Sequence, residues 1–207
     1  FKVSELHWPA PTRHLFSKMM NFGYQDEVLL FSEVEVPSQI TVGQSYAFDA
    51  SVRYLVCNDI CLPGSASATV QVVGGERSRA SEHAPLFERY SQQVPQKWAS
   101  VGTLDLLSDQ LVIDVPGMGK VLSSKKALSV FPVTDGVVLN NSDPEVKLLG
   151  DRLSLNWKRD PQIESKKKEF TFIVSAEGEP WFEVHTQVKE EGSFFGFLLL
   201  ALFGGML

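Results

Sequence analysis

The sequence predicts an all-β protein of the sandwich type, and three observations carry that reading. Stretches that alternate apolar and polar residues far outnumber those with helical periodicity. Turn signals recur between them at short spacing: Gly74-Gly75, Pro116-Gly117, Asp135-Gly136, residues 140–144 and Gly178. Only one segment reads as a helix.

Taken in order, residues 27–36 (EVLLFSEVEV) are rich in apolar and β-branched side chains and stop at Pro37, which predicts a strand. Residues 45–56 alternate, with Tyr46, Phe48, Ala50, Val52, Tyr54 and Val56 on one face and Asp49, Ser51 and Arg53 on the other. Residues 66–73 predict the next strand, ended by Gly74-Gly75. Between these two strands the sequence places a cysteine loop, opened by Cys57-Asn58-Asp59 and closed by Pro63-Gly64. Residues 82–99 differ: Leu86, Phe87, Tyr90 and Val94 fall near helical spacing, Pro85 suits a first turn, Ser81 an N-cap, and Pro95 a stop. Strand patterns return at 103–107, 110–115, 127–132, 137–139, 153–157, 169–175 and 181–188. The basic run Lys166-Lys167-Lys168, flanked by Glu164 and Glu169, reads as a solvated turn.

The 207 residues suffice for one large domain or two small ones with a real core, and 43% apolar with 21% charged is ordinary for a globular protein. A net charge of −6 argues against nucleic acid as a partner, because phosphate binding needs a positive surface. The chain begins at Phe1 with no leader before it, which predicts a processed terminus or a fragment boundary. At the other end residues 194–207 (FFGFLLLALFGGML) are uncharged. A spanning helix needs about 20 such residues, so the expectation is a transmembrane helix cut short by the end of the chain, with a buried terminal element as the alternative.

The chain has two cysteines, Cys57 and Cys61, four residues apart, and four chemistries compete for them. A structural disulfide closing so short a loop would stabilise by only roughly 2 kcal/mol in the loop-entropy view. Zinc needs four ligands, and His7, His14, His83 and His185 show no paired spacing. Soft thiolates suit Cu(I); CNDICLP resembles the C-x-x-x-C-P loop of Sco-type copper chaperones, with His185 as candidate third ligand. Reversible thiol–disulfide exchange needs one accessible thiolate and a second cysteine close enough to resolve a mixed disulfide. A tight polar loop between strands meets both needs, and exchange is the leading reading of the four.

Three elements taken together, HWPAPTR (7–13), NFGYQDEVLL (21–30) and YLVCNDICLPGSA (54–66), resemble the N-terminal periplasmic region of the DsbD/ScsB family of membrane thiol–disulfide reductases. The apolar C-terminal run is similar to the opening of that family's first transmembrane helix. The C-x3-C spacing is similar to ScsB-like members, whereas the DsbD type has a longer gap, and strands that normally precede the W-P-x-P element are missing.

The resemblance implies an immunoglobulin-like sandwich at 1–76, N-terminally incomplete, and the start of a transmembrane helix at 193–207; between them the residue pattern predicts a linker with helix at 77–101 and a second β-sandwich at 102–190. It implies that Cys57 and Cys61 pass electrons from the membrane and C-terminal thioredoxin-like modules of the full-length protein to oxidised periplasmic thioredoxin-like partners, with no cofactor. By position, a cap loop at 19–24 would shield them with Phe22 and Tyr24, or else these aromatics pack in the core. Cys61 would form the interprotein bond and Cys57 resolve it. Asp59, the ionisable group inside the loop, would raise a neighbouring thiol pKa, or else is a solvated turn residue. The implied location is the periplasmic side of the bacterial inner membrane. A copper-binding or copper-tolerance module using the same cysteines is the alternative.

Overall fold

The computed structural model describes residues 1–16, 19–58, 60–122, 127–163 and 167–189. It is all-β: strand makes up 49% and helix 7% of the described residues, so strand pairing decides the architecture. The chain divides into two units, Phe1–Pro95 and Gln96–Leu207.

The second unit holds the core. Its strands are β7 (Gln96–Lys97), β8 (Gly102–Leu106), β9 (Gln110–Val115), β10 (Leu128–Pro132), β11 (Glu145–Leu149), β12 (Arg152–Lys158), β13 (Glu169–Ala176) and β14 (Phe182–Val188). They form one sheet in the order β10-β13-β14-β8-β9-β12-β11, with β7 also alongside β14. Alternation works as the sequence predicts: Leu111, Ile113 and Val115 of β9, and Leu153, Leu155 and Trp157 of β12, all point into one apolar cluster with Phe170, Phe172 and Val184.

Four strand-to-strand steps of about 4.8 Å separate β13 from β12 along that sheet, roughly 19 Å if it were flat. Yet the rings of Phe172 on β13 and Trp157 on β12 have centroids 6.5 Å apart. The sheet therefore folds over so that its two halves face each other across the core, as the layers of a sandwich do. Trp157 is held at that point by its indole N–H, which donates to the Ser142 carbonyl at 3.0 Å.

The first unit is built of separate two-stranded pieces: β1 (Lys2–Val3) with β4 (Val34–Glu35), β2 (Thr12–Phe16) with β3 (Met19–Gly23), and a long hairpin of β5 (Ser45–Cys57) with β6 (Cys61–Val73). The one helix of this unit among the described residues, α1 (Ala84–Ser91), is tied to the chain before it. Arg89 pairs with Glu27 at 2.9 Å, the Tyr90 hydroxyl donates to the Glu27 carbonyl at 3.3 Å, and the Phe87 ring meets Phe31 edge-on. Tyr90 is the one large apolar side chain described as buried in this unit.

Several elements differ from the sequence-based expectation. The strand expected over 27–36 shrinks to Val34–Glu35 plus a bridge from Phe31 to His7, because its partner β1 offers only two residues of ladder. The helix expected over 82–99 spans only Ala84–Ser91, with His83 and not Ser81 at its N-cap, and Pro85 in the first turn as expected. Past it, Gln96–Lys97 is drawn out as strand by pairing with β14. Residues 137–139 supply one bridge, Val138 to Arg159, instead of a strand. The sequence reading also placed no strand at β1, β2, β3 or β11, and no helix at α2 (Met118–Val121). The 166–168 run falls partly, and the 193–207 segment wholly, outside the described residues; no helix among the described residues is long and apolar enough to cross a membrane.

Helix α2 depends on a glycine. Gly119 donates its N–H to the Asp151 carbonyl at 2.9 Å, and a Cβ placed on it would stand 2.7, 2.8 and 2.9 Å from backbone atoms of Gly150, Asp151 and Arg152. These are main-chain atoms of the β11–β12 turn, fixed by the ladder on either side. Gly119→Ala is expected to lower the stability of the second unit by about 1–3 kcal/mol through overpacking. Chemical denaturation would read this as an earlier midpoint with an unchanged slope, and an unmoved midpoint would show that the turn yields freely.

Candidate functional site

The cysteine pair stands at the tip of the β5–β6 hairpin, and strand register puts it there. Thirteen residue pairs run from Ser45 opposite Val73 to Cys57 opposite Cys61. The chain reverses through three residues only, 58–60, with the Asn58 N–H donating to the Ile60 carbonyl at 3.2 Å. Antiparallel pairs alternate between hydrogen-bonded and non-hydrogen-bonded types, so that turn bond makes Cys57 and Cys61 a non-hydrogen-bonded pair, in which Cα atoms lie about 4.5 Å apart. The observed separation is 4.1 Å, and the two sulfurs are joined as a disulfide.

The same alternation explains why the expected loop is shorter than the sequence suggests. Pro63 and Gly64, read there as turn residues, lie inside β6 opposite Leu55 and Tyr54. Pro63 falls two residues past Cys61, again at a non-hydrogen-bonded position, so its missing N–H costs no ladder bond. Gly64 leaves room for a ring: a Cβ there would stand 2.4 Å from Tyr54 Cε2. Tyr54 thus lies across the glycine, an aromatic covering a bare stretch of edge strand.

Residues directly opposite share a face, so the register sorts the hairpin into two sides. One side is apolar from end to end: Tyr46, Phe48, Ala50, Val52, Tyr54 and Val56 face Val72, Val70, Ala68, Ala66, Gly64 and Leu62. Near the base it is covered by Phe1, whose ring meets Tyr46 at 4.9 Å and Phe48 at 5.3 Å between centroids. The other side carries the disulfide, followed by Leu55 and Pro63, then Arg53 and Ser65, then Ser51 and Ser67, then Asp49 and Thr69. The Thr69 hydroxyl donates to Asp49 at 2.6 Å. Both cysteines are exposed, which leaves their sulfurs open to an incoming thiolate.

The remaining predicted site residues lie as follows. Phe22 is on β3 opposite Arg13, whose guanidinium carbon lies 6.0 Å from its ring centroid. Tyr24 follows that strand and donates its hydroxyl to the Pro9 carbonyl at 2.6 Å. Residues 19–23, expected as a cap loop, are therefore strand, and the aromatic that follows is pinned to the W-P-x-P element. Burial pushes the Tyr24 phenol above its ordinary pKa, because the phenolate would lose its water there. Asp59 lies outside the described residues. His185, the candidate copper ligand, stands on β14 in the second unit, its Nε2 2.9 Å from Glu183 and its Nδ1 3.1 Å from the Thr171 hydroxyl. Among the described residues no group of three His, Cys, Asp or Glu side chains could hold a metal ion.

Comparison with known proteins bears on the same hairpin. Residues 1–72 match the family described as thiol:disulfide interchange protein DsbD, N-terminal. Neither the curated proteins nor the solved structures offer a match to this chain. The matched stretch starts at Phe1 and reaches Val72, within the last two residues of β6, so it takes in the whole dithiol tip.

Tyr24 gives a direct check on this part of the structure. A raised folded pKa means that Tyr24 stabilises the fold fully below about pH 10, the unfolded phenol value, and that this contribution is lost as pH rises through the folded pKa. The difference in absorbance at 295 nm between wild type and Tyr24→Phe isolates its ionisation. Its midpoint is expected above 10, and a midpoint at or below that value would mean the phenol is solvated.

Proposed function

Taking residues 1–72 as an N-terminal domain of the DsbD family, we propose that Cys57 and Cys61 cycle between disulfide and dithiol, and that this module hands reducing equivalents to oxidised thioredoxin-like proteins of the periplasm. Domains of this family are periplasmic. The observation that carries the proposal is an exposed disulfide at a hairpin tip whose register sets the two cysteines directly opposite each other.

The reaction balances as two thiol–disulfide exchanges. A thiolate of the reduced pair attacks one sulfur of the partner's disulfide; that bond breaks, and the partner's second sulfur leaves as thiolate and takes up a proton. The remaining cysteine then loses its proton and attacks the mixed disulfide, closing the Cys57–Cys61 bond and releasing the partner as a dithiol. Two electrons and two protons pass to the partner. In this reading Cys61 forms the interprotein bond and Cys57 resolves it.

The domain relationship supports a donor of the same family, the membrane and C-terminal thioredoxin-like modules of a full-length protein, which re-reduce the pair. Residues 193–207 would begin the helix that anchors this arm to the inner membrane. Phe22 and Tyr24 would close over the sulfurs when no partner is docked, a movement of the 12–24 hairpin toward a tip that is exposed in this structure. Asp59 would raise the pKa of its neighbouring thiol and so keep the free dithiol slow to react.

Two measurements test the reading. Equilibration with glutathione buffers is expected to give a reduction potential above about −300 mV, since a structural bond lies below that value. With Cys57→Ala, Cys61 is expected to hold an oxidised thioredoxin-like protein as a stable mixed disulfide; the reverse preference between Cys57→Ala and Cys61→Ala would exchange the two roles. A potential far below −300 mV would mark the pair as inert and sink the proposal.

A further inference from the structure

The side of the hairpin that carries the disulfide also carries one cation, and its surroundings point to the kind of partner that docks there. Arg53 lies on the disulfide side, four register pairs from the cysteines, with Leu55 and Pro63 between them on the same face. Strand geometry sets it about 13 Å from Cys57, four residues at about 3.3 Å each. It is exposed, and residues 45–73 contain no other Lys or Arg. Among the described residues nothing supplies Arg53 with a hydrogen bond or counter-charge, whereas Asp49, two steps further along this side, is already engaged by Thr69. Leu55 is 67% exposed.

A lone guanidinium beside a bare apolar step, on a chain whose net charge is −6, runs against the overall field of the molecule. The general charge repels acidic partners, so a cation kept next to the reactive sulfurs acts locally, by complementarity with what approaches them. Guanidinium forks match carboxylates in particular.

We infer that Arg53, with Leu55 and Pro63, is a docking surface for the exchange partner, and that this thioredoxin-like partner presents a carboxylate about 13 Å from its reactive sulfur. The inference rests on the exchange reading above and deepens it. Arg53 is a positioning residue: it orients the partner and takes no part in the bond exchange.

The test uses the oxidised full chain and two blocked pentapeptides, each with one cysteine and, four residues away, either glutamate or lysine, made in both sequence orders; 2-mercaptoethanol, which carries no charge beyond its thiolate, serves as the reference. The peptide thiolate attacks a sulfur of the Cys57–Cys61 bond, the new S–S bond forms, and the other cysteine leaves as a thiolate. The glutamate peptide is expected to react up to about fivefold faster than the lysine peptide, the range an exposed ion pair supports. That preference is expected to vanish in Arg53→Gln, to invert in Arg53→Glu, and to disappear in 1 M salt, where screening reaches about 3 Å. Reduction by 2-mercaptoethanol is expected to proceed at one rate in all three proteins. Because the net charge alone would favour the lysine peptide, a glutamate preference cannot come from it.

Equal peptide rates in the wild type, with 2-mercaptoethanol still reducing the bond, would overturn the inference and leave the exchange function standing. Failure of 2-mercaptoethanol to reduce the bond would overturn both. A glutamate preference that persists in Arg53→Gln would assign the selectivity to some other group and remove Arg53 from the surface.

Discussion

The placement of Cys57 directly opposite Cys61 is the constraint from which the rest of the site follows. It fixes a three-residue reversal, which sets the parity of every pair below it. Parity puts the cysteines and Pro63 at non-hydrogen-bonded positions, where a short Cα separation and a missing N–H are both tolerated. It also puts the disulfide on the polar side of the ribbon and leaves an unbroken apolar row on the other. A slip of one residue would reverse both faces and break the opposition of the two sulfurs.

The energetic role of the bond follows from the same register. A ring this short removes little conformational entropy from the unfolded chain, roughly 2 kcal/mol in the loop-entropy model, and the hairpin turn already confines those residues in the folded state. The first unit draws little on burial, with Tyr90 its one large buried apolar side chain among those described, while the second unit packs its Leu, Val, Phe and Trp residues into a single cluster. The shortness of the ring therefore limits the disulfide as a staple, even in a unit with little buried core. Its position at an exposed tip is better explained by access to other thiols than by stability.

Much of this was legible in the sequence, and the failures share a cause. The alternating strands of the second unit were readable because each buries one face, which forces period two into the sequence, as in Leu111-Ile113-Val115. The course of β5 was readable from its alternation too, although its apolar face is largely exposed in this structure. What misled was local chemistry overruled by pairing: Pro63 and Gly64 are turn residues by propensity, yet they sit in strand because Leu55 and Tyr54 on β5 hold them in register. Residues 27–36 had strand composition but only a two-residue partner to pair with. Residues 96–97 had no strand signal and became strand beside β14. The dithiol was plain from the spacing of two cysteines; alternation put Arg53 on the polar face, and the register shows that face to be theirs.

Within the proposed function, that register pulls on equilibrium and on rate in different directions. Holding two thiols opposite each other raises their effective concentration, which favours the closed disulfide and makes the pair harder to reduce. Exposure does the opposite for kinetics, since either sulfur can be reached without unfolding the hairpin. A module of this design takes electrons only from a donor at least as reducing as itself, and releases them quickly once a fitting partner docks. The direction of flow is then set by what stands on either side of the pair, and the hairpin contributes speed and selection.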